Sequence, residues 1–202
     1  LLVHGRYNYN RTSKFVLSTF YKELLFYLTQ MIFQRYTMFS GTSLYESWSL
    51  SMFNTLFTSL PVLCIGMFEK DLKPMTLLAV PELYSMGRLS QCFNAQIFVY
   101  WMVLAACGSV LVTFLNCQIW GFTAQSDNSM YPLGLINYTA IVTLINFKCQ
   151  FLEMRNRNVL AFASVIISVG GWLVWCCFLP GIYGDKPIYG VKFGLYHHFG
   201  GD

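Results

Sequence analysis

Two ionisable residues stand side by side inside an apolar run: Lys22 and Glu23 in YKELLFYLTQMIFQRY, residues 21 to 36. Placing an ionised lysine in a membrane helix costs about 2.5 to 3.5 kcal/mol, and such residues usually face a bundle interior or a water-filled path. The other physical account is snorkelling. Lys22 lies about 12 Å along a helix axis from Lys14 and could reach back to the interface. Residue types alone leave both accounts open.

A second feature lies at LSMFNTLFTSLPVLCIG, where Ser51, Asn54, Thr55, Thr58 and Ser59 form a polar stripe at helical spacing ahead of Pro61. Small polar residues commonly glue membrane helices together. Asn54 stands apart, because an amide is costly to bury in lipid and offers both donors and acceptors. Pro61 has no N–H, so the carbonyl of Phe57 is freed and needs another partner.

No other chemistry stands out. The sequence has no phosphate-cradling glycine loop, zinc spacing or nucleophile elbow, so these residues alone offer no catalytic set, cofactor site or metal site. The seven cysteines (64, 92, 107, 117, 149, 176 and 177) lie within or beside apolar windows without CxxC spacing, as structural thiols do. The adjacent His197 and His198 are weak evidence for any site.

These residues must be positioned by membrane helices. With 55% hydrophobic and 11% charged residues, the chain of 202 is too apolar for an ordinary soluble domain, in which about a quarter of residues are charged. Five windows are long enough to cross a hydrocarbon core of about 30 Å. They run from 15 to 38, 46 to 66, 95 to 121, 133 to 152 and 159 to 179. The expected fold is therefore an all-α, polytopic transmembrane helix bundle of about five spans.

Lys and Arg concentrate in cytoplasmic loops. With the N-terminus cytoplasmic, that side receives nine of the thirteen: Arg6, Arg11, Lys14, Lys70, Lys73, Arg88, Lys148, Arg155 and Arg157. The opposite side receives three, Arg35, Lys186 and Lys192, with Lys22 set aside. The formal charge of +4 thus reflects topology rather than a nucleic-acid surface.

Residues 1 to 14 read as a cytoplasmic stalk running unbroken into the first span. FSGTSLYESW is a tight hinge with Gly41 as breaker and Tyr45 and Trp48 as interfacial aromatics. Residues 67 to 94 read as a solvated cytoplasmic connector interrupted by Pro74 and Pro81. The sequons at Asn10 and Asn137 fall on the cytoplasmic side and inside a span, where glycosylation is not expected. An odd number of spans, with no signal peptide, gives the appearance of a piece of something larger.

Several strings, in order, carry a family resemblance: HGRYNYNRTSKFVLSTFYK (4 to 22), FSGTSLYESW, FNTLFTSLPVLCIGMFEKD (53 to 71) and PELYSMGRLSQCFN (81 to 94). Together they resemble the C-terminal membrane region of P4-type ATPases, the phospholipid flippases, and most closely a divergent fungal Golgi and endosomal branch. The resemblance implies that the five windows are helices five to nine of a ten-helix domain. It further implies an ATP-driven translocase moving phospholipid from the exoplasmic to the cytoplasmic leaflet.

By the same resemblance, ATP and Mg2+ belong to the full-length protein. Its DKTG phosphorylation site and nucleotide-binding domain lie upstream, so this segment would not be active alone. Lys22 matches the lysine of the family's FYKN, implicated in handling the head group. Asn54 matches the asparagine of YN..FT.LPP, and Pro61 its first proline. Glu23 stands where the family has Asn, Val62 replaces the second Pro and Thr42 replaces the Gln of FSGQ. Glu23 could neutralise Lys22 and alter which head group is welcome.

The implied partners are phospholipid, the bilayer, the upstream cytoplasmic domains and a two-span accessory glycoprotein. The implied location is the trans-Golgi network, endosome or plasma membrane. The competing reading is a non-enzymatic channel or receptor in which Lys22 and Glu23 form a structural pair. A cation pump fits less well, because its helices gather several carboxylates.

Overall fold

The structure, a computed structural model, describes residues 2–122, 130–155 and 158–183. No proline occurs before Pro61, and the first helix, α1 (Leu2–Tyr36), runs unbroken for 35 residues. At about 1.5 Å per residue it is roughly 52 Å long, far more than a hydrocarbon core needs. Arg35 in its last turn complements the C-terminal end of the helix dipole. The chain then reverses through left-handed conformations at Met38 (φ 53°), Phe39 (φ 57°) and Gly41 (φ 75°). Gln30 and Gln34 hold the reversal from α1: the amide oxygen of Gln30 accepts from Leu44 N (3.1 Å), and Gln34 donates to the Thr42 carbonyl.

The next crossing is broken into three parts. α2 (Ser47–Met52) starts at Glu46, whose carboxylate accepts from the Trp48 and Ser49 amides, each at 2.7 Å, at the positive end of the helix dipole. A π-helical turn (Phe53–Phe57) follows, then α3 (Ser59–Phe68). The connector holds α4 (Pro74–Ala79), a 3₁₀ turn (Pro81–Tyr84) and α5 (Ser85–Arg88). Both expected breakers open these short helices, where a missing N–H costs nothing. α6 (Ala95–Phe122), α7 (Met130–Phe147) with a terminal π turn (Lys148–Glu153), and α8 (Val159–Tyr183) complete the bundle.

Four stretches are long and apolar enough to cross a membrane: Ser47–Phe68, Ala95–Gln118, Leu133–Glu153 and Val159–Leu179. They match the last four expected spans to within a few residues. α1, which holds nearly all of the expected first span, 15 to 38, does not meet that standard. Lys22, Glu23, Gln30, Gln34 and Arg35 dilute its apolar content, and one side of it packs among the other helices while Phe20, Tyr27 and Met31 stay exposed. Leu17, Tyr21, Leu25, Phe26 and Phe33 are buried along it.

The core is aromatic. Phe26 stacks on Phe53 (4.0 Å between centroids) and on Tyr45 (4.6 Å), and Tyr138 stacks on Trp172 (4.0 Å). Such pairs contribute about 0.5 to 1.5 kcal/mol beyond burial. Tyr45 is therefore a core residue and not the interfacial aromatic expected, whereas Trp48 is exposed. The outer faces of α6 and α8 are apolar and open, as at Leu111, Phe114, Ile166 and Phe178. Cys107, Cys117 and Cys177 are exposed, so only Cys64, Cys149 and Cys176 are the buried thiols expected. Outside the spans, burial pushes the Cys92 thiol up from its ordinary range.

Gly134 lies against the hinge, and a Cβ built there would collide with the backbone oxygen of Leu44. Backbone cannot rotate away as a side chain can. Gly134→Ala is expected to cost about 1 to 3 kcal/mol through overpacking. The check is the thermal unfolding midpoint of the full-length protein in detergent, where an unchanged midpoint would contradict the close approach.

Candidate functional site

Lys22 extends from α1 toward the broken crossing and does not snorkel. Only 6% of the residue is exposed. Its Nζ donates to Asn54 Oδ1 (3.0 Å) and Thr58 Oγ1 (3.3 Å), and Glu23 Oε1 lies 3.7 Å away. Burial and three oxygen partners settle the alternative left open by residue types: the ammonium faces inward.

Side chains four residues apart share a helix face, so Asn54 and Thr58 of the broken crossing can both reach one ammonium. Asn54 sits in the π turn, whose wider winding shifts the stripe, and Thr58 follows it with φ −130° and ψ −10°, outside regular helix. Thr58 donates its own proton to the Phe53 carbonyl (2.7 Å), leaving an oxygen lone pair for Lys22. Asn54 is exposed and Glu23 half-buried, so the cluster opens on one side. Because Lys22 engages the Asn54 oxygen, the NH2 end is the part of the amide that can donate to an incoming group.

Pro61 lies a turn beyond and supplies no side-chain polarity. The Phe57 carbonyl that it frees accepts from Ser168 Oγ and, at 3.5 Å, from Asn146 Nδ2. The carbonyl of Pro61 itself accepts from Gln150 Nε2 at 2.8 Å. The structure thus brings Lys22, Glu23 and Asn54 together, with Pro61 acting through the backbone beside them.

A second buried lysine was missed. Lys148, counted above as a cytoplasmic loop charge, is only 5% exposed. Its Nζ lies 3.7 Å from the Trp101 ring centroid, 4.0 Å from that of Tyr21 and 3.9 Å from Glu153 Oε1. A desolvated cation over aromatic faces gains about 2 kcal/mol or more, so Lys148 is a packed residue of the bundle. Lys148 therefore drops out of the expected count of loop charges. Asn146 and Gln150 were also missed, although their spacing of four across the end of α7 and its π turn is the same signal as the Asn54 stripe. Arg157, Lys186, Lys192, His197 and His198 lie outside the described residues.

The first part of α1 is bolted to the connector. Arg6 bonds Asp71 Oδ2 through Nε (3.0 Å) and Nη2 (2.6 Å) and also donates to the Leu83 carbonyl, while Tyr7 donates to Leu72 O (2.5 Å). Lys14 Nζ lies 2.6 Å from the buried Glu69 carboxylate. Residues 67 to 94 are therefore more than a solvated connector.

Apolar outer faces around an inward-turned ammonium define an integral, multi-pass membrane protein with its polar chemistry inside. The chain belongs to the family described as phospholipid-translocating P-type ATPase C-terminal, whose model matches residues 1–202. It is 71% identical over its whole length to the "Probable phospholipid-transporting ATPase DNF3" of Saccharomyces cerevisiae, covering 12% of that protein. It is 39% identical over 99% of its length to the phospholipid-transporting ATPase dnf1 of Schizosaccharomyces pombe, covering 13%. The human phospholipid-transporting ATPase IK is 31% identical over 86% of the chain, which covers 14% of it. The chain thus spans about an eighth of the first two relatives. A non-enzymatic channel or receptor is not favoured by these matches.

Proposed function

We propose that these residues are the transport segment of an ATP-driven phospholipid translocase that moves lipid from the exoplasmic to the cytoplasmic leaflet. The observation that carries the reading is the 3.0 Å contact of Lys22 with Asn54 beside the half-buried Glu23. An ammonium is the natural partner of a lipid phosphate, and charge-assisted bonds are the strong ones. A head-group phosphate arriving on the open side would compete with Asn54, Thr58 and Glu23 for Lys22. The freed Asn54 amide could then bond the same head group, and Glu23 would tune which head groups are welcome. Pro61 would keep the crossing broken so that these groups can converge.

In this reading the membrane helices are five to nine of ten, residues 1–14 form the stalk and 15–202 the partial membrane domain. The continuous α1 makes a transmission rod. ATP and Mg2+ would be bound elsewhere in the longer protein, because the sequence contains no DKTG phosphorylation motif. A two-span accessory glycoprotein and residence in the trans-Golgi network, endosome or plasma membrane complete the proposal.

The test is transport by the full-length protein in vesicles. Asn54→Ala is expected to change the ratio of phosphatidylserine, phosphatidylethanolamine and phosphatidylcholine transport by about threefold to tenfold, the worth of one hydrogen bond. Unchanged ratios would remove Asn54 from the head-group path.

A further inference from the structure

The helix carrying Asn54 and Thr58 is held from behind by three polar side chains that belong to no lipid contact described above. Ser168 on α8 and Asn146 on α7 both donate to the Phe57 carbonyl, and Gln150, in the π turn that ends α7, donates to that of Pro61. All three donors are buried, with Ser168 at 0% exposure. In the bilayer interior a carbonyl freed by proline must find a partner within the protein, so some donor near Phe57 is required. The arrangement goes further than that, because three donors from two helices converge on two carbonyls four residues apart.

We infer that Ser168, Asn146 and Gln150 are positioning residues that set head-group specificity by fixing where the broken helix presents Asn54 and Thr58 to Lys22. This inference rests on the proposed role of the Lys22 site. The chain of contacts is short. Thr58 directly follows Phe57 in the sequence, its Oγ1 accepts from Lys22 and donates to Phe53 O, and Asn54 lies between Phe53 and Phe57 in the π turn. Moving the Phe57 carbonyl therefore moves both oxygens that hold the ammonium.

Burying an amide in a membrane helix is costly unless it is hydrogen-bonded, and here the NH2 groups of both amides are directed at the backbone of the broken crossing. Asn146 also donates to the Val142 carbonyl (2.7 Å) within its own helix, so Ser168 and Gln150 are the firmer clamps.

A merely structural role predicts lower stability with lipid preference untouched. A positioning role predicts a shift in preference. In the full-length protein, Ser168→Ala and Gln150→Met are expected to change the ratio of the KM values for phosphatidylethanolamine and phosphatidylcholine, read from lipid-stimulated ATP hydrolysis, by about threefold or more. Ser168→Thr, which keeps the hydroxyl, is expected to leave that ratio near wild type. If Gln150→Met does not assemble, Ser168→Ala decides alone, since it deletes a single oxygen. Ratios unchanged by Ser168→Ala, with Asn54→Ala still shifting them, would overturn the positioning role and leave the site standing. Ratios unchanged by Asn54→Ala as well would overturn the site and the inference together.

Discussion

Lys22→Ala is expected to reduce lipid-stimulated ATP hydrolysis of the full-length protein by about tenfold to a hundredfold at limiting lipid, while the bundle still assembles. A hydrogen bond to a charged group is worth about 1.5 to 3 kcal/mol, which corresponds to that range in apparent KM. Folding should survive for two reasons. Removing a buried ammonium also removes a charge whose insertion costs about 2.5 to 3.5 kcal/mol. Thr58 keeps its bond to the Phe53 carbonyl, and the half-buried Glu23 and exposed Asn54 can turn toward the open side. Lys22→Arg is expected to fall between, because a planar fork cannot occupy the volume of a compact ammonium. Undiminished stimulation by phosphatidylserine, phosphatidylethanolamine and phosphatidylcholine in the alanine variant would remove Lys22 from the lipid path.

How the site could be read from sequence depended on the range of each interaction. Pro61 implies a free carbonyl four residues back by a purely local rule, and Phe57 indeed takes donors from Ser168 and Asn146. The last four spans were legible because long apolar windows have few alternatives in water or lipid. α1 was legible in extent but not in which of its faces pack against protein, since an apolar window does not show where the neighbouring helices lie. Lys148 was misread because a basic residue at a span end is usually topogenic. Nothing local indicates that Tyr21 and Trp101, on other helices, close over it. The meeting of Lys22 with Asn54 depends on packing between two helices, so residue types singled out each one but only the family resemblance assigned both to one head-group path.

The end of the bundle that holds Lys14 and Glu69 carries the second large effect. Glu69, 1% exposed, accepts from Lys14 Nζ (2.6 Å) on the stalk and from the Arg155 amide (3.0 Å) beyond α7, while its own carbonyl accepts from Arg11 Nε (2.7 Å). Lys14 donates in turn to the Glu153 carbonyl (2.6 Å). One residue therefore joins the rod, the end of α3 and the segment after α7. Removing one member of a fully buried pair costs about 3 to 5 kcal/mol. The Lys14 side chain is 23% exposed and can recover some hydration, so Glu69→Ala is expected to cost nearer 2 to 3 kcal/mol. Glu69→Gln keeps an acceptor for the Arg155 amide and should cost about half as much. The check is the order of thermal unfolding midpoints in detergent: wild type, then Gln, then Ala. If the stalk transmits force through this junction, the alanine variant should also lose lipid stimulation of ATP hydrolysis under conditions where it is still folded. Equal midpoints and equal stimulation would show that the Glu69 junction carries neither stability nor force, and α1 would then have to act on the bundle through its other contacts.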